Sequence, residues 1–81
     1  MYYYDATIHF GIWNGSCDAS DECSFGTFEE AVEWAKVIWP YDTTFEEWKH
    51  DDEYVGWVFA HTEVREDGSE DYVGIRRLKS S

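Results

Sequence analysis

The sequence predicts an α+β fold: a three-stranded, mainly antiparallel sheet with one main helix and one short helix on one face, in the order β-α-α-β-β. Three observations predict it. An N-terminal stretch alternates apolar and polar side chains, a central stretch carries an apolar stripe behind a capping box, and two β-rich runs flank an Asp-Gly turn.

Residues 2–13 read as a strand, because Tyr4, Ala6, Ile8, Phe10 and Ile12 alternate with Asp5, Thr7, His9 and Gly11. Asn14-Gly15 ends it with turn chemistry, and residues 14–26, rich in Gly, Ser and Asp, read as a loop. Residues 28–39 read as a helix. Thr27-Phe28-Glu29-Glu30 is a capping box, and Phe28, Ala31, Val32, Ala35, Ile38 and Trp39 recur at helical spacing before Pro40 stops the run. A second T-F-E-E at Thr44–Glu47 predicts a short helix over about residues 45–52, anchored by Phe45 and Trp48. Residues 54–65 and 70–78 read as a hairpin. With Asp67-Gly68 as a two-residue loop, Arg65 faces Glu70, Thr62 faces Val73 and Ala60 faces Ile75. One face then holds Val58, Ala60, Thr62, Val64, Val73 and Ile75, suited to a covering helix. The other holds Trp57, Phe59, His61, Tyr72, Arg76 and Leu78, with Arg76 set for a cation–π contact on Phe59.

The 81 residues suffice for a single domain spanning 1–81. A domain this size buries only about 60% of its unfolded surface, so its core leans on large side chains. Five Trp, six Tyr and five Phe supply them. Eighteen acids against six Lys and Arg give a net charge of −12, beyond the magnitude of about 2–8 that keeps a small domain soluble. Such a charge repels nucleic acid and anionic membranes and selects a basic protein surface as partner. With 43% apolar residues in periodic patterns, the charge does not signal disorder. The N-terminal residues lack the basic segment and apolar run of a secretory leader, and no stretch approaches the roughly 20 apolar residues of a membrane span. The expectation is a cytoplasmic protein, more readily monomer than dimer, with Cys17 and Cys23 as free thiols.

No chemistry-bearing constellation emerges. Cys17 and Cys23 are separated by five residues, without a neighbouring His in sequence, so no metal site is expected. His9, His50 and His61 are scattered, with His9 and His61 expected on the sheet's open face. Asp18, Asp21 and Glu22 lack the calcium-loop register. No nucleophile–base spacing and no phosphate loop occurs, so neither an enzyme nor a cofactor is expected. The only basic cluster, Arg76, Arg77 and Lys79, cannot provide the footprint of direct nucleic-acid binding.

The acids are concentrated instead. Residues 42–53 hold Asp42, Glu46, Glu47, Asp51, Asp52 and Glu53 against Lys49 alone, and the main helix adds Glu29, Glu30 and Glu33. Glu29 and Glu33 repel each other at i, i+4, and Glu33 lies beyond the first turn where the helix dipole would compensate. Trp34, Trp48 and Tyr41 are candidate interface anchors, Trp48 being expected in the core.

In size, acidity, α+β pattern and lack of catalytic residues, the chain resembles phage-encoded anti-defence proteins, first anti-CRISPR proteins and then DNA-mimic antirestriction proteins. The resemblance is one of composition and architecture, without a shared motif. It implies a stoichiometric inhibitor in the host cytoplasm that occupies the target-DNA- or PAM-reading surface of a CRISPR effector subunit, or another nucleic-acid-binding defence protein. The alternative is a protein-binding module, such as an immunity protein or adaptor, using the sheet face with Trp57, Phe59, His61, Tyr72 and Arg76.

Overall fold

The computed structural model describes residues 1–80. Its elements are β1 (Tyr2–Ile12), β2 (Ala19–Phe25), α1 (Phe28–Ile38), β3 (Gly56–Val64) and β4 (Glu70–Lys79). All strands pair antiparallel in one four-stranded sheet of order β2-β1-β4-β3. The expected three-stranded sheet with two helices is therefore corrected twice: one strand more, one helix fewer.

The extra strand is β2, in the stretch expected to be a loop. Asn14 and Gly15 both take positive φ, 50° and 82°, and Trp13 and Ser16 exchange backbone hydrogen bonds of 2.7 and 3.0 Å. This is a two-residue hairpin turn, the conformation Asn-Gly favours. It folds β2 back along β1 from Phe10↔Ala19 to Tyr4↔Phe25. Six of the seven β2 residues are exposed, so backbone pairing rather than side-chain burial holds the strand.

The helix forms on its predicted stripe. Phe28, Ala31 and Ala35 are buried, and Trp39 closes the C-terminus by donating its N–H to the Ala35 carbonyl at 2.7 Å. The Glu30 N–H donates to Thr27 Oγ1 at 3.2 Å, while the Thr27 hydroxyl donates to Glu30 Oε1. The helix lies across β1, β2 and β4, over Ala6, Ile8, Val73 and Ile75, all fully buried.

The second T-F-E-E does not start a helix; residues 42–50 carry no regular secondary structure. A helix capped at Thr44 would need the Trp48 N–H to reach the Thr44 carbonyl. That N–H donates instead to the Val58 carbonyl at 2.6 Å, on the outer edge of β3. The Phe45 and Trp48 rings both lie on Phe59, at centroid distances of 4.9 and 6.2 Å. An extended strap thus covers the part of the sheet that α1 does not reach.

The hairpin register also differs from expectation. Val64 pairs with Glu70, Thr62 with Tyr72 and Ala60 with Gly74, because the loop spans Arg65 to Ser69 and not Asp67-Gly68 alone. A bulge then inserts Val58 between the Trp57↔Arg76 and Phe59↔Ile75 pairs. A one-residue shift moves side chains to the opposite face. Phe59 and His61 consequently share the helix side with Ile75 and Val73, while Ala60 and Thr62 join Tyr72 and Gly74 on the open side.

Candidate functional site

The acids predicted as a partner surface, Glu29, Glu30, Glu33, Asp42, Glu46, Glu47, Asp51, Asp52 and Glu53, are all exposed. The ion pairs among the described residues are His61–Glu63, Arg65–Asp71 and Arg76–Asp5, so none of the nine forms one. The fold brings three of them together. Glu29 and Glu33 from α1 and Glu47 from the strap rim a groove of ≈ 420 Å³ whose other walls are Phe28, Val32 and Phe45. Glu47 is held in place by the Tyr4 hydroxyl, which donates to Glu47 Oε2 at 2.8 Å. Burial, then that carboxylate, pushes the Tyr4 phenol above its usual range.

The remaining acids are arranged differently. Glu30 is engaged at the helix cap with Thr27. Asp51 accepts the Glu53 N–H at 3.2 Å in the turn that ends the strap. Arg77 fixes this turn by donating to the Asp51 and Tyr54 carbonyls, both at 2.8 Å, while its guanidinium lies 4.8 Å from the Tyr2 ring centre. Of the proposed anchors, Trp48 is 46% exposed and Trp34 is half-buried against Phe25. The expectation that Trp48 is core is thus corrected. Tyr41 is tied to Asp71 through its hydroxyl.

The aromatic sheet face is smaller than predicted. The register set by the five-residue loop removes Phe59, which is buried, and His61, which meets the Trp39 ring edge-on and contacts Glu63 Oε1 at 2.8 Å. Trp57, Tyr72 and Arg76 remain, joined by His9 and the buried Asp5. Arg76 donates to Asp5 Oδ2 at 2.6 Å and stands 5.3 Å from the centre of Trp57, so the cation–π contact is with Trp57 and not Phe59. The Asp5 bond raises the Arg76 guanidinium pKa still further. Tyr72 stacks on His9 and meets Trp57 edge-on. Both rings lie over Gly74, where an added Cβ would come within 2.6 Å of Trp57. The groups on this face are therefore largely occupied with one another.

Two further features complete the polar inventory. Cys17 and Cys23 are free and exposed, and Cys17 Sγ lies 3.7 Å from His9 Nδ1. Among the described residues no group of His, Cys, Asp and Glu could hold a metal ion. The second feature went unpredicted: Asp71, 2% exposed, accepts from the Gly11 N–H at 2.9 Å, from Arg65 at 3.1 and 2.8 Å, and from the Tyr41 hydroxyl. The signal was an Asp in period-two register with Val73 and Ile75, a core position that an acid takes only with partners.

Comparison of the chain with protein-family models, with curated proteins and with solved structures finds no match. Among the described residues no helix is long and apolar enough to cross a membrane.

Proposed function

We propose that the chain is a stoichiometric inhibitor of the anti-CRISPR type. Its acidic side docks on the basic target-DNA- or PAM-recognising surface of a CRISPR effector complex in the host cytoplasm and keeps DNA out by standing in for phosphates. The observation that carries this reading is the exposed set of carboxylates on α1 and the strap that forms no internal ion pair. The scale is compatible with mimicry. The molecule is 41 Å long and carries a net charge of −12. Duplex DNA of that length carries roughly 24 charges at one per 1.7 Å, so the chain offers about half its linear density. The sheet face with Trp57, Tyr72 and Arg76 is the weaker docking surface, because Arg76 is already paired with Asp5 and set over Trp57, and the rings pack on one another within the chain.

The test is displacement of labelled target DNA from a purified effector by the chain, at low and high salt. Inhibition should weaken as salt rises. The variant Glu46→Lys, Asp51→Lys, Asp52→Lys, Glu53→Lys should lose it, while Trp57→Ala should retain it. A charge-reversed variant that displaces DNA as well as the parent overturns the reading.

A further inference from the structure

We infer that the groove between α1 and the strap is an arginine socket, the seat of one arginine side chain projecting from the basic partner. The inference rests on the proposed docking of the acidic side and specifies what that side recognises.

The groove has two chemistries at once. Phe28, Val32 and Phe45 give it apolar walls, while Glu29, Glu33 and Glu47 stand around it in no internal ion pair. An apolar ligand would leave three carboxylates desolvated beside it, and a small hydrated cation would leave the apolar walls unused. A long side chain with an aliphatic stem and a cationic head satisfies both. Arginine fits better than lysine. Its planar guanidinium is weakly hydrated, packs well against aromatic side chains, and offers five donors to carboxylates from both α1 and the strap.

The socket is also built before any partner arrives. Glu47 is held by the Tyr4 hydroxyl at 2.8 Å, and the next residue is tied to β3 through the Trp48 N–H and Val58 carbonyl at 2.6 Å. Glu29 and Glu33 are held one turn apart on a helix capped at Thr27. Their mutual repulsion lowers helix stability and would be relieved by a bound cation. Pre-positioning of the Glu47 carboxylate, and of the backbone that carries Glu29 and Glu33, reduces the ordering cost of binding.

The experiment is an NMR titration of the full chain with a hexa-arginine peptide and, separately, a hexalysine peptide, observing the Val32 methyls and the Phe28 and Phe45 rings. Hexa-arginine should give saturable shifts centred on these three residues and bind more tightly than hexalysine. Glu29→Gln with Glu33→Gln should weaken hexa-arginine binding about tenfold. The charge-matched pair Glu46→Gln with Asp52→Asn should weaken it far less. Both double variants replace exposed carboxylates with isosteric amides, and the first relieves a repulsion, so folding is retained. Equal binding of the two peptides, or equal loss in the two double variants, overturns the socket. The effector assay separates the two proposals. Diffuse peptide binding with intact DNA displacement removes the socket and leaves the docking reading standing. Seating of hexa-arginine in the groove without DNA displacement supports the socket and removes that reading.

Discussion

Replacing Asp71 by Asn should destabilise the fold by about 2–3 kcal/mol, and the figure follows from what the carboxylate holds. Four donors converge on it from three regions: Gly11 at the β1 bulge, Tyr41 at the start of the strap, and the Arg65 Nε and Nη2 from the β3–β4 loop. A hydrogen bond to a charged group contributes about 1.5–3 kcal/mol net. Asn keeps one acceptor oxygen but turns an NH2 group toward donors, so at least one such bond is lost and one clash is created. Breaking a fully buried pair costs about 3–5 kcal/mol. The lower figure applies here because the Arg65 side chain is 39% exposed and water can take over part of its solvation. At roughly 0.05–0.15 kcal/mol per residue the whole domain is stable by about 4–12 kcal/mol, so the loss is a large share. Urea titration should show a lower midpoint with an unchanged slope, and the melting temperature should fall by about 10–20 °C. Burial pushes the Asp71 carboxyl up, but the hydrogen bonds from Arg65, Tyr41 and the Gly11 N–H outweigh it and hold the group below its ordinary value. A depressed carboxylate contributes stability that is complete above its unfolded pKa, about 3.9, and is lost as pH falls through the folded value. The gap between parent and variant should therefore stay constant from neutral pH down to about 5 and close below about 4. A variant within about 0.5 kcal/mol of the parent at neutral pH, or a gap that closes near neutrality, refutes the account.

The two T-F-E-E motifs should respond differently to the same change. Thr27→Ala should cost about 1 kcal/mol by removing a formed helix cap, whereas Thr44→Ala should cost almost nothing, both read by urea denaturation. Gly74→Ala should cost about 1–3 kcal/mol and shift the tryptophan fluorescence, because the new methyl displaces Trp57 and Tyr72; an unchanged spectrum would contradict the packing of that face. Glu33→Lys should stabilise the helix by a few tenths of a kcal/mol, because the new ammonium pairs with Glu29 one turn before it, and should abolish hexa-arginine seating in the groove. Seating that survives this charge reversal would separate the helix acids from any binding role.

Which parts of the molecule were legible in the sequence follows from which physical term holds each part. The β1 alternation and the α1 stripe were readable because side-chain burial dictates them, and burial leaves a period in the sequence. Strand β2 left none: six of its seven side chains face water, and its backbone bonds to β1 are open to any non-proline sequence. Only Asn14-Gly15 announced it, and that dipeptide reads as the end of a strand unless the polar residues beyond it are allowed to be one. The loop register and the bulge at Val58 are similarly silent, yet together they decide which side chains each sheet face carries. The five-residue loop has already turned Phe59 inward, where Phe45 and Trp48 cover it, and the bulge keeps Trp57 on the open face beside Arg76. It lies where the Val58 carbonyl takes the Trp48 N–H, the bond that competes directly with a helix capped at Thr44. Had that helix formed, the strap could not lie extended with Phe45 on Phe59 while Glu47 meets the Tyr4 hydroxyl. The carboxylates were visible in the sequence, but the groove that gathers three of them depends on a backbone bond donated by Trp48, which neither propensity nor periodicity encodes. A substitution that restores helix between residues 45 and 52 would therefore erase the socket while leaving every acid in place.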